Sequence, residues 1–167
     1  MSEPTPIGPH QLRIVAFLQN TWVRDPENLK RIYAEVAARG NVDVAKHRNC
    51  MITYMLFAGC LSGRRLKAAF GEELCYEIYW EEASTEITGT PSAKVTADPE
   101  HIRRVLESQQ PDVVLCFGRI ACNAVEPLWN GVLLRAPHPA ARGDHIVPAL
   151  LQMRKQLERE LIWWVKP

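Results

Sequence analysis

The sequence predicts an α/β fold: one three-layer, doubly wound domain with a mainly parallel central sheet of about four strands. Three observations carry this. Apolar, β-branched runs alternate with amphipathic segments along the chain. Two of the amphipathic segments open with Asp-Pro, a capping side chain followed by a residue preset for the first helical turn. "PDVVLCFG" (111–118) is an unbroken apolar run ending in glycine, the pattern of a strand buried on both faces of a parallel sheet.

In chain order, residues 1–10 form a polar, Pro-rich leader and residues 11–167 the domain. "LRIVAFLQN" (12–20) reads as a buried strand that leaves the sheet at its polar end. Asp25-Pro26 then starts a helix that Gly40 stops. "HRNCMITYMLFAGC" (47–60) is apolar enough for a mostly buried helix, and a shorter one follows, capped by Ser62 and stopped by Gly71. "LCYEIYW" (74–80) reads as a second strand, and "EEASTEITGTPSAKVTAD" (81–98) as a long loop rich in turn formers. Asp98-Pro99 opens the next helix; the central strand, the helix "RIACNAVEPLW" (119–129), the strand "GVLLRAP" (131–137) and a terminal helix over 144–164 complete the pattern.

Composition narrows the function classes. At 167 residues and 47% hydrophobic, the chain can bury a core without staples. No apolar run approaches a membrane span and the leader lacks an apolar centre, so a cytoplasmic protein is expected. The five cysteines are odd in number, widely spaced and without a C-x-x-C pair; they read as small buried hydrophobes rather than disulfide or metal ligands. With a net charge of only +1, the chain is no strongly basic nucleic-acid binder, although its front and rear are basic while 72–100 is acidic. A monomer without metal or cofactor is expected.

Parallel sheets bind ligands at the carboxyl ends of their strands. There this chain carries "QNTW" (19–22), "EEAS" (81–84), "FGRIA" (117–121) and "PHPAAR" (137–142). The last fixes one histidine between two prolines and follows it with small residues.

With these motifs in this order, the chain resembles the uracil-DNA glycosylase superfamily. The first family motif follows the first strand and reads Gly-Gln-Asp-Pro-Tyr-His in the uracil-specific branch and Gly-x-Asn-Pro in the mismatch-specific branch. "LQNTWV" (18–23) is similar to both: Gln19 matches the glutamine, Asn20 the water-holding Asp/Asn, and Trp22 the tyrosine. "HPAAR" (138–142) is similar to the second motif, His-Pro-Ser or His-Pro-Ala-Ala-Arg. "VVLCFGRIACNAV" resembles the strand–Gly–helix segment preceding it, and "RNCMITYMLFAGCLSGRRL" (48–66) a helix of the mismatch-specific branch. Two departures stand out. Thr21 replaces the motif proline, and Glu81 or Glu82 falls where the uracil-specific branch has a base-reading asparagine. A carboxylate only accepts hydrogen bonds, so a base with a donating exocyclic amine would suit it better than uracil. The iron–sulfur branches need four cysteine ligands that these positions do not supply.

The resemblance implies a fold of this size and a DNA glycosylase that flips out a uracil-like or otherwise modified base and hydrolyses its N-glycosidic bond. Such a reaction needs a positioned water and a donor facing the departing base. Asn20 would hold the water and His138 would donate; otherwise Asn20 ends a strand and His138 sits in an ordinary Pro-rich turn. Gln19 contacts the base or is a strand-end polar residue. Trp22 and Phe117 wall the pocket or pack in the core. Asn49 serves the pocket or caps a helix, and Glu81 and Glu82 are base-pocket residues or surface acids. Gly118 with Arg119, and Pro139, Ala140 and Arg142, would meet DNA, the small residues by close approach and the arginines at phosphate. Arg64 and Arg65 read as a solvated helix face. Two other classes remain: a non-catalytic DNA-binding module on the same fold, and a nucleotide-binding α/β protein, which lacks a G-x-G-x-x-G or P-loop signature.

Overall fold

The computed structural model describes residues 12–165; the leader lies outside the described residues. Strand β1 (Ile14–Leu18) is buried along its whole length, as its apolar run requires. It leads through Gln19-Asn20 into a two-residue strand β2 (Thr21–Trp22). Helix α1 (Pro26–Ala38) has Pro26 in its first turn and Asp25 as its cap, accepting from the Asn28 N–H. Helices α2 (Val44–Phe57), α3 (Leu61–Phe70) and α4 (Glu72–Glu77) follow, then strands β3 (Tyr79–Glu82) and β4 (Ile87–Thr88). Helix α5 (Pro99–Gln109), capped by Asp98, strand β5 (Val113–Phe117), helix α6 (Arg119–Val125), strand β6 (Val132–Ala136) and helix α7 (Ile146–Val165) complete the order.

The sheet has four parallel strands in the order β3-β1-β5-β6, with β2 and β4 paired as a separate parallel ribbon. Both faces are covered. Ile14, Ala16 and Leu18 of β1 point into a core shared with α2, α3 and α7, while Val15 and Phe17 point to a second core with α5 and α6. The expected α/β, three-layer architecture is therefore observed. No helix among the described residues is long and apolar enough to cross a membrane.

Four local expectations need correction. The stretch expected as the second strand is helix α4 followed by a strand displaced toward the C-terminus. Leu74, Cys75 and Ile78 stand at helical spacing and all pack into the core. Glu81 and Glu82 thus belong to β3 itself and are buried rather than lying on a surface loop. Helix α2 is only partly buried: Ile52 and Leu56 face the core, but Tyr54 is 71% exposed. Helix α3 is capped by Cys60, whose Sγ accepts from the Gly63 N–H, and not by Ser62, which is buried. Finally, Cys50 and Cys60 are exposed; only Cys75, Cys116 and Cys122 are buried. Gly63 is required here, because a Cβ would fall 1.8 Å from the Leu56 carbonyl oxygen where α3 crosses α2.

Candidate active site

At the carboxyl edge of the sheet a cavity of about 350 Å³ opens between the strand ends and the α2–α3 turn. Asn20 from the segment after β1, Glu82 at the end of β3 and His138 from the segment after β6 reach it, while Trp22, Tyr54 and Ser62 add to its wall. Its volume is that of a small-molecule pocket, largely apolar with a few convergent polar groups.

His138 is held from several sides. Pro137 and Pro139 fix the torsions next to it. Its Nδ1 accepts a 3.1 Å hydrogen bond from the Ala140 N–H, so in the neutral ring the hydrogen is on Nε2. Burial holds its pKa below the ordinary histidine value, favouring that neutral form. Gly118, at φ +85°, lets β5 pass close beneath: a Cβ there would lie 3.2 Å from His138 Cβ. Arg65 Nη1 donates to the Pro139 and Ala141 carbonyls at 2.7 and 2.8 Å, clamping the loop to α3. Arg65 is therefore a structural clamp rather than a solvated face, whereas Arg64 bonds the Gly59 carbonyl at the end of α2.

Asn20 is equally fixed. Its Nδ2 donates to the Thr21 carbonyl at 3.0 Å and to Thr88 Oγ1 at 3.1 Å, with the Glu86 carbonyl at 3.5 Å. Two carbonyls at this end require the NH₂, which assigns the amide orientation and leaves Oδ1 as acceptor. Oδ1 receives Gln19 Nε2 at 3.3 Å and retains a lone pair. The β2–β4 ribbon thus braces Asn20. Gln19 supports Asn20 from outside the cavity wall. Trp22, 49% exposed, stands at the rim.

The two adjacent glutamates diverge because successive strand residues point to opposite faces. Glu81, 1% exposed, is paired: its Oε1 lies 3.0 Å from Arg48 Nε, 3.3 Å from His101 Nε2 and 3.0 Å from the Glu82 N–H. Burial opposes its ionisation, but the His101 hydrogen bond and the Arg48 charge outweigh it and hold the carboxyl below its ordinary value. Glu82, 6% exposed, lines the cavity, and its Oε2 is buried without a hydrogen-bond partner. Burial, reinforced by the Glu81 charge, pushes its pKa up to about 8.

Besides Gln19, three residues expected in the base pocket lie outside the cavity. Phe117 is fully buried and stacks on Trp80 in the core, with ring centroids 5.8 Å apart. Asn49 Nδ2 donates to the Trp80 carbonyl at 2.8 Å and ties α2 to β3. Glu81 belongs to the Arg48–His101 cluster. Arg119, Ala140 and Arg142 are exposed on the same edge as the cavity, beside the buried Pro139. Tyr54 is not singled out by the sequence, whereas Arg65 reads there as part of a solvated helix face and Ser62 as a helix cap. Among the described residues no group of three or more His, Cys, Asp or Glu side chains is arranged to hold a metal ion. Comparison of the chain with protein-family models and with curated protein sequences gave no match.

Proposed function

We propose that the protein is a monofunctional DNA glycosylase, similar to the uracil-DNA glycosylase superfamily, which hydrolyses the N-glycosidic bond of an extruded uracil-like or modified base. The observation that carries this reading is the convergence of Asn20 and His138, from opposite ends of the chain, on one cavity at the carboxyl edge. Bond cleavage leaves an oxocarbenium-like sugar and a base that gathers negative charge. The Nε2 hydrogen of neutral His138 is the donor for that charge, preset by the bond at Nδ1. The free lone pair of Asn20 Oδ1 accepts from the attacking water and orients it. Trp22 and Tyr54 offer aromatic faces at the mouth, and Arg119 and Arg142 supply cations for phosphates.

A second reading, a DNA-binding module that does not cut, draws on one observation: both Asn20 amide hydrogens are consumed by the ribbon, leaving a single lone pair for water. One panel separates the two. Oligonucleotides carrying uracil, hypoxanthine, xanthine and 5-modified pyrimidines are incubated with the protein and treated with alkali. The glycosylase yields strand breaks at one or more of these bases, and His138→Ala and Asn20→Ala suppress them while DNA affinity stays near wild type. Retention of oligonucleotides with no abasic product from any base supports the binding module and overturns the enzyme.

A further inference from the structure

Glu82 is a buried carboxyl in the cavity wall with an oxygen that no protein group satisfies. A side chain so placed either meets a ligand or imposes a cost with no return. Every charged or titratable group facing it bears on which form it takes. Glu81 precedes it on β3, and its charge disfavours a second carboxylate. Arg48 from α2 attracts a negative Glu82, but its Nε is engaged by Glu81 at 3.0 Å. His101 from α5 lies against Glu81. Tyr33 from α1 has its phenol held in the protonated form by burial, and His138 across the cavity is neutral. The Cys60 thiol on the α2–α3 turn also lines the wall. Thr21 alone, by hydrogen bonding, adds to Arg48 in favouring ionisation.

We propose that Glu82 is the specificity-determining residue of the cavity and works as a neutral carboxylic acid, donating from one oxygen and accepting at the other. Its ligand is then a heterocycle whose edge carries a donor beside an acceptor, such as the N–H and C=O of uracil, hypoxanthine or xanthine. This rests on the reading that the cavity takes a base. It reverses what a carboxylate at this position implies: the neutral acid offers the same donor–acceptor pair as an asparagine amide. Ionisation removes the donor and sets a negative oxygen against the ligand carbonyl, so recognition fails as pH rises through about 8.

The test reads binding, not excision. Saturation-transfer NMR on the full chain measures 1-methyluracil, which keeps the N3–H edge, and 1,3-dimethyluracil, which lacks the donor. The wild type binds 1-methyluracil at pH 6.5 and about tenfold more weakly at pH 9, following the fraction of neutral acid. Glu82→Gln carries donor and acceptor at every pH; it binds as the wild type does at pH 6.5 and lacks the tenfold loss at pH 9. Any ionisation of the probe itself is common to both proteins and cancels in their comparison. Neither protein binds 1,3-dimethyluracil. Equal wild-type affinity at the two pH values, loss of binding in Glu82→Gln at pH 6.5, or no binding of 1-methyluracil overturns the proposal. Binding of this kind with intact oligonucleotides would remove the glycosylase reading and keep this one. Excision with pH-independent binding would do the reverse.

Discussion

The two edges of the sheet carry hollows of different character. The larger, about 500 Å³, lies at the amino ends of β1 and β3 beside Arg13, Glu77 and Gln109. There the backbone of Arg13 is tied to Asp112: its N–H donates to Asp112 Oδ2 at 2.8 Å, and its carbonyl accepts from the Asp112 N–H at 2.8 Å. The smaller cavity at the carboxyl edge has an unpartnered buried oxygen on Glu82 and a fixed donor on His138. Tyr33 Oη and His47 Nδ1 are also buried without a hydrogen bond, but neither of them lines the amino-edge hollow. Volume alone does not single out the carboxyl edge. What marks it out is an unpartnered buried carboxyl oxygen at the edge where a parallel sheet gathers its loops.

The sharpest way to break this contrast is to silence one edge at a time. His138→Ala is expected to lower the excision rate about 100- to 1000-fold, the usual cost of losing one preset donor to developing charge. Arg13→Ala at the amino edge is expected to leave the rate unchanged; single-turnover kinetics on the cleaved base checks both. Next in size is a stability effect of Glu82. The folded carboxyl takes its proton near pH 8 and the unfolded one near 4.5, so between these values the folded state holds one more proton. Its contribution is full below pH 4.5 and is lost as pH rises to about 8. Glu82→Gln therefore stabilises the protein more at pH 8 than at pH 5, by up to a few kcal/mol at about 1.4 kcal/mol per pKa unit. Urea titrations at the two pH values measure it, and an equal effect at both would contradict it. His138 runs the opposite way: its depressed pKa costs stability as pH falls below the ordinary 6.5.

Smaller effects probe the scaffold of the carboxyl edge. Arg65→Ala removes both bonds to the His138 loop and is expected to lower the excision rate about tenfold, a cost of about 1.4 kcal/mol. Arg65 is a positioning residue, so kcat falls with KM nearly unchanged and Arg65→Lys recovers part of the loss. Gly118→Ala strains a positive φ and crowds His138, and is expected to destabilise by about 1–2 kcal/mol. Thermal denaturation checks it.

How much of this was legible in the sequence follows from where each partner lies. β1, β5 and the two Asp-Pro helix starts were readable because their determinants are local: continuous apolar runs and a cap three residues from its donor. β3 was misplaced because Leu74, Cys75 and Ile78 suit a helix as well as a strand. The opposite fates of Glu81 and Glu82 depend on the register with β1, which pairs Glu82 with Leu18 at the cavity. A one-residue slip would exchange the two. Arg65 was unreadable as a clamp because its partners lie 74 and 76 residues away. Asn20 and His138 were legible through motif chemistry, but the bracing of Asn20 by Thr88 was not, since it belongs to a ribbon that only the fold assembles.

The central claim is that Asn20 and His138 meet a single ligand at the carboxyl edge. Its most direct test is an NMR titration of the labelled protein with an oligonucleotide bearing an uncleavable analogue of the susceptible nucleotide, following side-chain resonances. The account predicts that the Asn20 amide and His138 imidazole signals shift together with one Kd, while Arg13 and Gln109 stay still. Shifts confined to the amino edge, or two different Kd values for Asn20 and His138, would contradict it.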